Sequence, residues 1–581
     1  MKLNKFKILR NHLLLASWFL LLGSFSTYAQ DWQWIKDGGS SDNNEPEHVI
    51  DMVTDSDRNV YVISQVGKNG LTIDGNPKTN WGDNTTLADV VLASFSCDGT
   101  YRWSKIIGGA SADIVKSVQV DSQDNVYIVG RFAGYQSTQY PPRIDNDYIM
   151  SQSPADARLL FLAKFNKDGI FQWIKRPQAP GVALSSQAFS LELEIDNDEL
   201  YWFVRLDSGT YANGAFTNTL ADKNLFVFKY DVNGNFINAT HLDWLSSNGG
   251  NGGNIKMYRN PYNGYFYMMF RKNGSTSVVS VNGTNISNAT FIACYDNTGI
   301  FQWLRESNTN GIYDVTLHGL AFDPSNNIYV AGKMTGYGTG ISFLGFTVPE
   351  NLIPAFILKV NPTADTLLWG SYGTSSAENI GGLIYNGSEV AYAGSGNHPD
   401  FTWGNMSLNI NPDGTSADVL FARFDSETGS TLSLSKITGD SGNLDYGTAI
   451  AVDTNGDYLV GGGFGHYIYD SNGNQNINAG GSSDFFVAKY ATGSCNALSV
   501  ANIVLDKVQV YPNPVKNKLY ITSKDAITSI EVYTVLGQKI ITNKVNQQAT
   551  TTLDVTKLVK GTYFVKVQVG HTVSNYTFIK E

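Results

Sequence analysis

The chain has 581 residues, 12% of them aromatic and three of them cysteine. That length is too great for one hydrophobic core unless the core is built by repetition, and three cysteines cannot make a disulfide scaffold. Of the formal charge of −11, the leader contributes +4 and residues 502–581 contribute +5, which leaves −20 for residues 31–501. A body this acidic argues against a nucleic-acid partner.

Residues 1–29 read as a signal peptide. Lys2, Lys5, Lys7 and Arg10 form a basic start, Leu13 to Leu22 is apolar apart from Ser17, and Thr27-Tyr28-Ala29 approximates a small-residue cleavage site. Cleavage is expected near Ala29-Gln30. The apolar run is short for a membrane span and no later stretch could span as a helix, so the processed protein is expected not to cross a membrane.

Residues 30–495 are organised by one phrase, an apolar pair, a small or charged residue and usually an aromatic. It reads Leu92-Ala93-Ser94-Phe95, Leu162-Ala163-Lys164-Phe165, Val227-Phe228-Lys229-Tyr230, Ile292-Ala293-Cys294-Tyr295, Ile357-Leu358-Lys359-Val360, Phe421-Ala422-Arg423-Phe424 and Val487-Ala488-Lys489-Tyr490. Its last residues are 70, 65, 65, 65, 64 and 66 positions apart, which marks one module copied seven times. Within residues 113–176, Val115–Val120, Val126–Arg131, Leu159–Phe165 and Ile170–Ile174 read as four strands, with Asp-rich and Asp-Gly turns between them. One repeat is therefore a four-stranded antiparallel sheet. Seven in tandem predict an all-β fold, a seven-bladed β-propeller, whose sheets bury their faces against each other. A β-sandwich array would require four strands to hide both faces unaided.

The fourth strand often carries Trp, as in Tyr101-Arg102-Trp103, Phe171-Gln172-Trp173 and Phe301-Gln302-Trp303; Asn238 and Ser433 stand there in repeats three and six. Repeat seven has no good fourth strand, yet the start of the mature chain, Trp32-Gln33-Trp34-Ile35-Lys36, copies that phrase. The N-terminal strand is predicted to pair with Phe485–Tyr490 and close the ring, with Trp32 and Trp34 on one face and Ile35 on the other. Closure would make Cys97 and Cys495 neighbours and permit a bridge in an oxidising compartment, although the outer parts of adjacent blades diverge. Cys294 reads as a small core residue.

Asp89, Asp418 and Asp484 precede the third strand and read as acceptors for backbone N–H groups in the turn, and Asp55, Asp121, Asp196, Asp323 and Asp453 mark the turn between strands one and two. Any ligand site is expected in the long loops between strands two and three, from Trp81, Tyr140, Tyr148, Tyr262 and Trp403 stacking on sugar rings. Trp81-Gly82 and Trp403-Gly404 also read as hydrophobic plugs. No cofactor is expected, except that Asp470, Asn472, Asn474 and Asn476 alternate in one loop and could offer oxygens to a structural Ca²⁺.

The local phrases, such as Asp453-Thr454-Asn455-Gly456-Asp457-Tyr458 and Ser483-Asp484-Phe485-Phe486-Val487-Ala488-Lys489-Tyr490, resemble the bacterial seven-bladed β-propeller repeat family. The resemblance covers roughly residues 31–495. It implies a fold and a cell-surface setting, and no shared chemistry.

Beyond a linker at 496–506, residues 507–581 change texture. Tyr511-Pro512-Asn513-Pro514 is followed by Leu536-Gly537-Gln538, by Gly561-Thr562-Tyr563-Phe564-Val565 and by a terminal Phe578-Ile579-Lys580. Short alternating strands with Lys-rich turns suggest a small Ig-like β-sandwich. These four ordered motifs resemble the C-terminal sorting domain of the type IX secretion system of Bacteroidetes. The resemblance implies passage across the inner and outer membranes, partners in that secretion machinery, removal of the tail by a sortase, and a secreted or outer-membrane-surface location.

No G-x-x-x-x-G-K-[ST], G-x-S-x-G or H-E-x-x-H motif occurs, and the seven histidines share no metal-ligand spacing. The reading that follows is a non-enzymatic surface module binding a glycan or a protein. A polysaccharide-degrading propeller with its site at the channel mouth is the alternative, and carboxylates with aromatics at that mouth would favour it. A structural matrix component is the third.

Overall fold

The computed structural model describes residues 30–581 apart from 43–45, 83–87, 134–139, 151–157, 179–183, 185–187, 221–223, 247–254, 273–277, 312–313, 336–339, 351, 376–380, 411–416, 441–442, 470–472, 474, 494, 496–507, 535–537 and 570–571. The chain divides into two compact units, Met1–Cys495 and Asn496–Glu581. The leader lies outside the described residues.

The first unit is a ring of seven sheets. Blade 1 is built from Val49–Thr54, Val60–Val66, Asp89–Phe95 and Tyr101–Gly108; blade 2 from Ile114–Val120, Val126–Ala133, Arg158–Phe165 and Phe171–Lys175. Blade 3 holds Phe189–Asp196, Glu199–Leu206, Asn224–Asp231 and Phe236–Leu242, and blade 4 holds Ile255–Arg259, Phe266–Arg271, Thr290–Tyr295 and Phe301–Glu306. Blade 5 is Val315–Phe322, Ile328–Met334, Ala355–Val360 and Leu367–Tyr372; blade 6 is Gly382–Asn386, Glu389–Gly396, Asp418–Asp425 and Thr431–Ile437. Blade 7 takes Tyr446–Val452, Tyr458–Phe464 and Asp484–Ala491 from the end of the unit and Asp31–Gly39 from its beginning. The recurring phrase is the third strand of every blade. That strand is covered by neighbouring blades on both faces, which is why it reads as a continuous apolar run: all seven residues of Asp89–Phe95 and all eight of Asp484–Ala491 are buried.

Register explains why the phrase is conserved in form between repeats. Its third residue lies opposite the Trp of the fourth strand: Ser94 faces Trp103, Lys164 faces Trp173, Cys294 faces Trp303, Lys359 faces Trp369 and Lys489 faces Trp34. Three of the four Lys of the phrase pair with the Asp of their own first turn, Lys489–Asp453 at 2.7 Å, Lys359–Asp323 at 3.1 Å and Lys164–Asp121 at 3.6 Å, while Lys229 pairs with Glu199. The first-turn Asp also holds its turn by acceptor bonds: Asn125 N–H donates to Asp121 at 2.9 Å and Tyr127 O–H at 2.8 Å. The Trp then crosses the seam. Trp103 Nε1 donates to Lys167 O of blade 2 at 3.0 Å, and its indole lies so close to the turn that a Cβ on Gly169 (φ +76) would meet it at 2.5 Å. Glycine is needed there both for positive φ and for the close approach.

The N-terminal strand closes blade 7 as expected: Trp32 pairs with Tyr490, Ile35 with Ala488 and Lys36 with Val487. The predicted facing is corrected. A bulge at Gln33 shifts the register between Trp32 and Trp34, and an extra residue reverses which side follows. Trp32 and Ile35 therefore share the core facing blade 6, while Trp34 packs towards blade 1. Equivalent shifts separate strands three and four in blades 1 to 6.

Cys97 and Cys495 form a disulfide with Cα atoms 5.8 Å apart, across a sequence separation of 398. The expected divergence of outer blade edges does not apply, because Cys97 lies in the turn that blade 1 presses against blade 7. Trp34 Nε1 donates to Cys97 O at 2.9 Å, and Lys489 Nζ lies 3.1 Å from Cys97 Sγ. Cys294 is free and buried, as expected of a core residue.

The second unit has five strands, Val508–Tyr511, Lys518–Thr534, Lys539–Asp554, Gly561–Val569 and Thr572–Lys580. Lys518–Thr534 changes partners along its length: its first part pairs with Val508–Tyr511 and its later part with Gly561–Val569, while Lys539–Asp554 follows its other edge. Leu519, Ile530, Val565 and Phe578 share one buried core, consistent with the expected sandwich.

Candidate functional site

Strands within a blade alternate in direction. The turns joining strands one to two and three to four therefore share one face of the ring, and the long two-to-three loops share the other. Those long loops serve as clasps. Thr72–Ile73 of blade 1 pairs with Gly38 and Gly39 of blade 7, and Arg143–Ile144 of blade 2 pairs with Ile107 and Gly108 of blade 1. The same lapping recurs as single bridges, Gly373 with Trp403 and Gly439 with Ile468. Each loop thus reaches back over the outer strand of the preceding blade.

This places the sequence-predicted aromatics. Trp403 is fully buried among Phe401, Tyr392 and Phe424, and its Nε1 donates to Ser371 Oγ at 3.0 Å. With no exposed face it is a plug and offers a sugar nothing to stack on. Trp81 is half-buried, with the Arg143 guanidinium 4.3 Å above its ring and Asp145 accepting from its Nε1 at 3.0 Å. Tyr140 and Tyr148 belong to the blade 2 clasp, where Tyr148 packs on Phe171 and Tyr140 O accepts from Ala110 N–H. Tyr262 is 46% exposed but does not lie in a two-to-three loop. The segment Tyr258–Tyr267 is the first turn of blade 4, which puts Tyr262 on the opposite face from the other four. The five residues are not brought together. Asp470, Asn472 and Asn474 lie outside the described residues, and Asn476 sits on the short strand Gln475–Ile477. Among the described residues no three His, Cys, Asp or Glu side chains gather as a metal site.

The ring does gather a set of residues that the sequence reading missed. A central cavity of about 180 Å³ is lined by the first strand of every blade, including Asp51, Lys116, Glu192, Lys256, His318, Leu383 and Thr448 in order around the ring. Glu194 and Tyr258 also face it. The signal was present: a polar residue recurs near the middle of the first strand in most repeats, on the side away from the apolar positions.

Burial dominates the electrostatics. It pushes Asp51 up to about 6, against acceptor bonds from Val118 N–H and Ser117 O–H, both at 2.9 Å. It raises Glu192 to about 7, against the attraction of Lys116 and Lys256. Glu194 rises to about 8, through burial and then the nearby Asp51 and Glu192 charges. Burial lowers both lysines. His318 falls to about 3, by burial and then the Lys256 charge; its Nδ1 meets Tyr392 O–H at 3.0 Å and its Nε2 is buried without a partner. Three acids, two bases and one neutral imidazole thus offset one another in a space of roughly six water volumes.

In the second unit, Asn513 bridges both ends of the tail. Its Nδ2 donates to Thr577 O at 3.0 Å and its Oδ1 accepts from Ile579 N–H at 2.9 Å. Tyr511 and Pro512 precede it in the same turn with Pro514 after it; Tyr511 is exposed and stacks on Tyr520. Gly561 opens its strand with φ +157, and Tyr563 is buried against Phe578. Gly537 lies outside the described residues.

The two units correspond to two kinds of known sequence. Residues 509–581 match the family described as a secretion system C-terminal sorting domain, and residues 102–131 match the β-propeller repeat. The chain therefore contains a β-propeller repeat and ends in a type IX sorting domain, which indicates export to the cell surface or the extracellular space. Among solved structures, the Dos1 propeller aligns at 9% identity over 79% of this chain and 96% of its own, with a TM-score of 0.35. A family PL25 ulvan lyase aligns at 11% identity over 74% and 93%, with a TM-score of 0.37. The acylaminoacyl peptidase of Pyrococcus horikoshii aligns at 9% over 85% and 60%, with a TM-score of 0.36. The curated proteins gave no match. No helix among the described residues is long and apolar enough to cross a membrane.

Proposed function

We propose that the exported propeller is a non-enzymatic module that binds a glycan or a protein outside the cell. The observation that supports this reading most is the central cavity. At about 180 Å³ it is smaller than ordinary ligand pockets, and its carboxylates are interleaved with lysines that offset them. Such a cavity suits a polar axle better than a cleft that threads and cuts a polymer. The secretion machinery and a sortase are the partners implied by the tail.

Two observations favour the enzymatic alternative. The cavity gathers three carboxylates, Asp51, Glu192 and Glu194, with the aromatic Tyr258, which is the combination expected of an enzyme there. Glu194, held up at about 8 beside Glu192 and Asp51, has the protonation of a general acid. The test is the exported protein on a glycan array, with parallel hydrolase and lyase screens against every glycan retained. Retention without turnover supports the module. Product release that Glu194→Gln abolishes would replace it with the enzyme.

A further inference from the structure

The seven seams of the ring are internal controls for one another, and one of them is incomplete. In four seams an indole lies against the turn glycine of the next blade: Trp34 on Gly99, Trp103 on Gly169, Trp173 on Gly234 and Trp369 on Gly429. Trp303 occupies the same register position in blade 4, opposite Cys294. Blade 6 has Ser433 there, opposite Arg423. The space beside it is taken by the start of the mature chain, where Arg423 Nη1 donates to Gln30 Oε1. Blade 3 has Asn238, opposite Lys229; Thr240 and the His241 carbonyl approach the turn glycine Gly299 of blade 4 instead, and among the described residues no aromatic ring takes the Trp position. A cavity of about 150 Å³ remains between blades 3 and 4.

The lining is amphipathic. Val227, Phe266 and the Tyr201 ring form an apolar floor. Asn238 and Asn297 stand exposed at the rim, with Thr240 beside them. Two cations reach in from the walls, each already paired: Lys229 with Glu199 at 2.6 Å and Arg259 with Asp196 at 2.7 Å. The slot therefore carries no net charge from these pairs. Arg259 is pinned over the Tyr201 ring at 4.3 Å, and its Nε is a buried donor without a partner.

These features discriminate between occupants. A flat apolar guest would fill the volume but leave the amides, Thr240 and Arg259 Nε unanswered, which costs free energy at each buried group. A small inorganic anion would meet Asp196 and Glu199 within the same ion pairs. A ring with C–H faces and hydroxyl edges answers both floor and rim. We propose that the seam between blades 3 and 4 binds a single pyranose ring, such as the terminal unit of a glycan. This rests on the glycan branch of the function proposed above.

The test uses the exported full protein and two probes, the methyl glycosides of a neutral hexose and of a hexuronic acid, followed by saturation-transfer NMR and calorimetry. Asn238→Trp restores the ring that the other seams carry. Asn297→Ala with Thr240→Val removes rim hydrogen bonds without adding bulk, and guards against misfolding of the first variant. At least one probe should bind the wild type, and each variant should weaken it by about tenfold or more. Asn238→Trp should also melt no lower than the wild type. Preference for the hexuronide would identify an acidic sugar, and equal binding a neutral one; either supports the slot. Unchanged probe binding in both variants would overturn the slot while leaving the glycan reading intact. So would a wild type that binds indole in place of both glycosides, or one that binds neither glycoside yet is retained on a glycan array. A protein that binds no sugar in any format would overturn the slot together with the glycan branch.

Discussion

Blade 2 and blade 7 have the same four strands, the same bulge and the same Lys-to-Asp pair, but blade 2 is made from one continuous stretch and blade 7 from the two ends of the propeller. In blade 2 a short covalent turn, Asn166 to Ile170, joins strands three and four. In blade 7 that turn does not exist, because Ala491 pairs with Asp31 and the chain leaves. What a turn does by covalent proximity, blade 7 must do by contact. Its Lys489–Asp453 pair is the tightest of the three Lys-to-Asp pairs, 2.7 Å and almost wholly buried, against 3.6 Å and partial exposure for Lys164–Asp121, with Lys359–Asp323 of blade 5 between them at 3.1 Å. Cys97 is the node: its carbonyl takes Trp34 and its sulfur takes Cys495. The fold adds non-covalent and disulfide links where the chain omits a peptide one.

Deleting Asp31–Lys36 should break this arrangement most severely. Trp32 and Ile35 are buried, and each is worth roughly 1.5–3 kcal/mol. An unpaired edge on Asp484–Ala491 should also drive aggregation, seen as loss of monomer by size exclusion. Stable monomer with an unchanged melting curve would refute the closure energetics. Next comes Lys489→Met, which strands Asp453 and should cost about 3–5 kcal/mol in a urea titration, against about 1 kcal/mol for Lys164→Met. Equal costs would mean that blade 7 is not specially reinforced.

Replacing Cys97 and Cys495 by Ser, or reducing the wild type, should cost roughly 2–4 kcal/mol through the large loop it closes. Hydrogen exchange should then rise first in Asp31–Gly39 and leave Phe171–Lys175 unaffected. A uniform rise would argue that the bridge supports the whole ring equally.

The smallest effect is that of pH. Burial raises Glu47 and Asp445 to about 8 and Asp484 to about 7, all of them in or beside blade 7. Their folded values exceed the unfolded ones, so the native state binds more protons and stability falls as pH rises from about 4 through 8. His318, pushed down to about 3, acts oppositely and removes stability as pH falls below about 6.5. Three acids outweigh one imidazole, so the melting temperature should be highest at about pH 4 to 5 and drop by a few degrees or more towards pH 9. A melting temperature that rises steadily from pH 6 to 9 would contradict these assignments.

The architecture was legible because it rests on short-range signals repeated seven times: the phrase, the turn Asp and the fourth-strand Trp. Ring closure was legible because Trp32-Gln33-Trp34 copies a phrase found elsewhere. The bulge at Gln33 was not, since an extra residue in a strand leaves no mark in an alternating pattern. The clasps were missed because their partners, such as Thr72 and Gly39, are chosen by geometry rather than by residue type. The reading of Trp403 as a sugar platform failed for the same reason: a loop tryptophan looks identical in sequence whether it faces solvent or a neighbouring blade. The central cavity escaped notice because Asp51, Lys116, Glu192 and Lys256 converge only after the ring closes. Asn238 was legible as a missing Trp, but only the packing shows that a cavity remains beside it.

The bonds made by Asn513 bear on how the tail is read. The Tyr-Pro-Asn-Pro segment and the last residues of the chain are 64 and 66 positions apart, yet they form one hydrogen-bonded corner. A receptor that docks there meets a surface assembled from both ends, which exists only once the strands between them have folded. The export address is then a shape rather than a string. Removing Thr577–Glu581 would take away both backbone partners of Asn513 and so undo that corner.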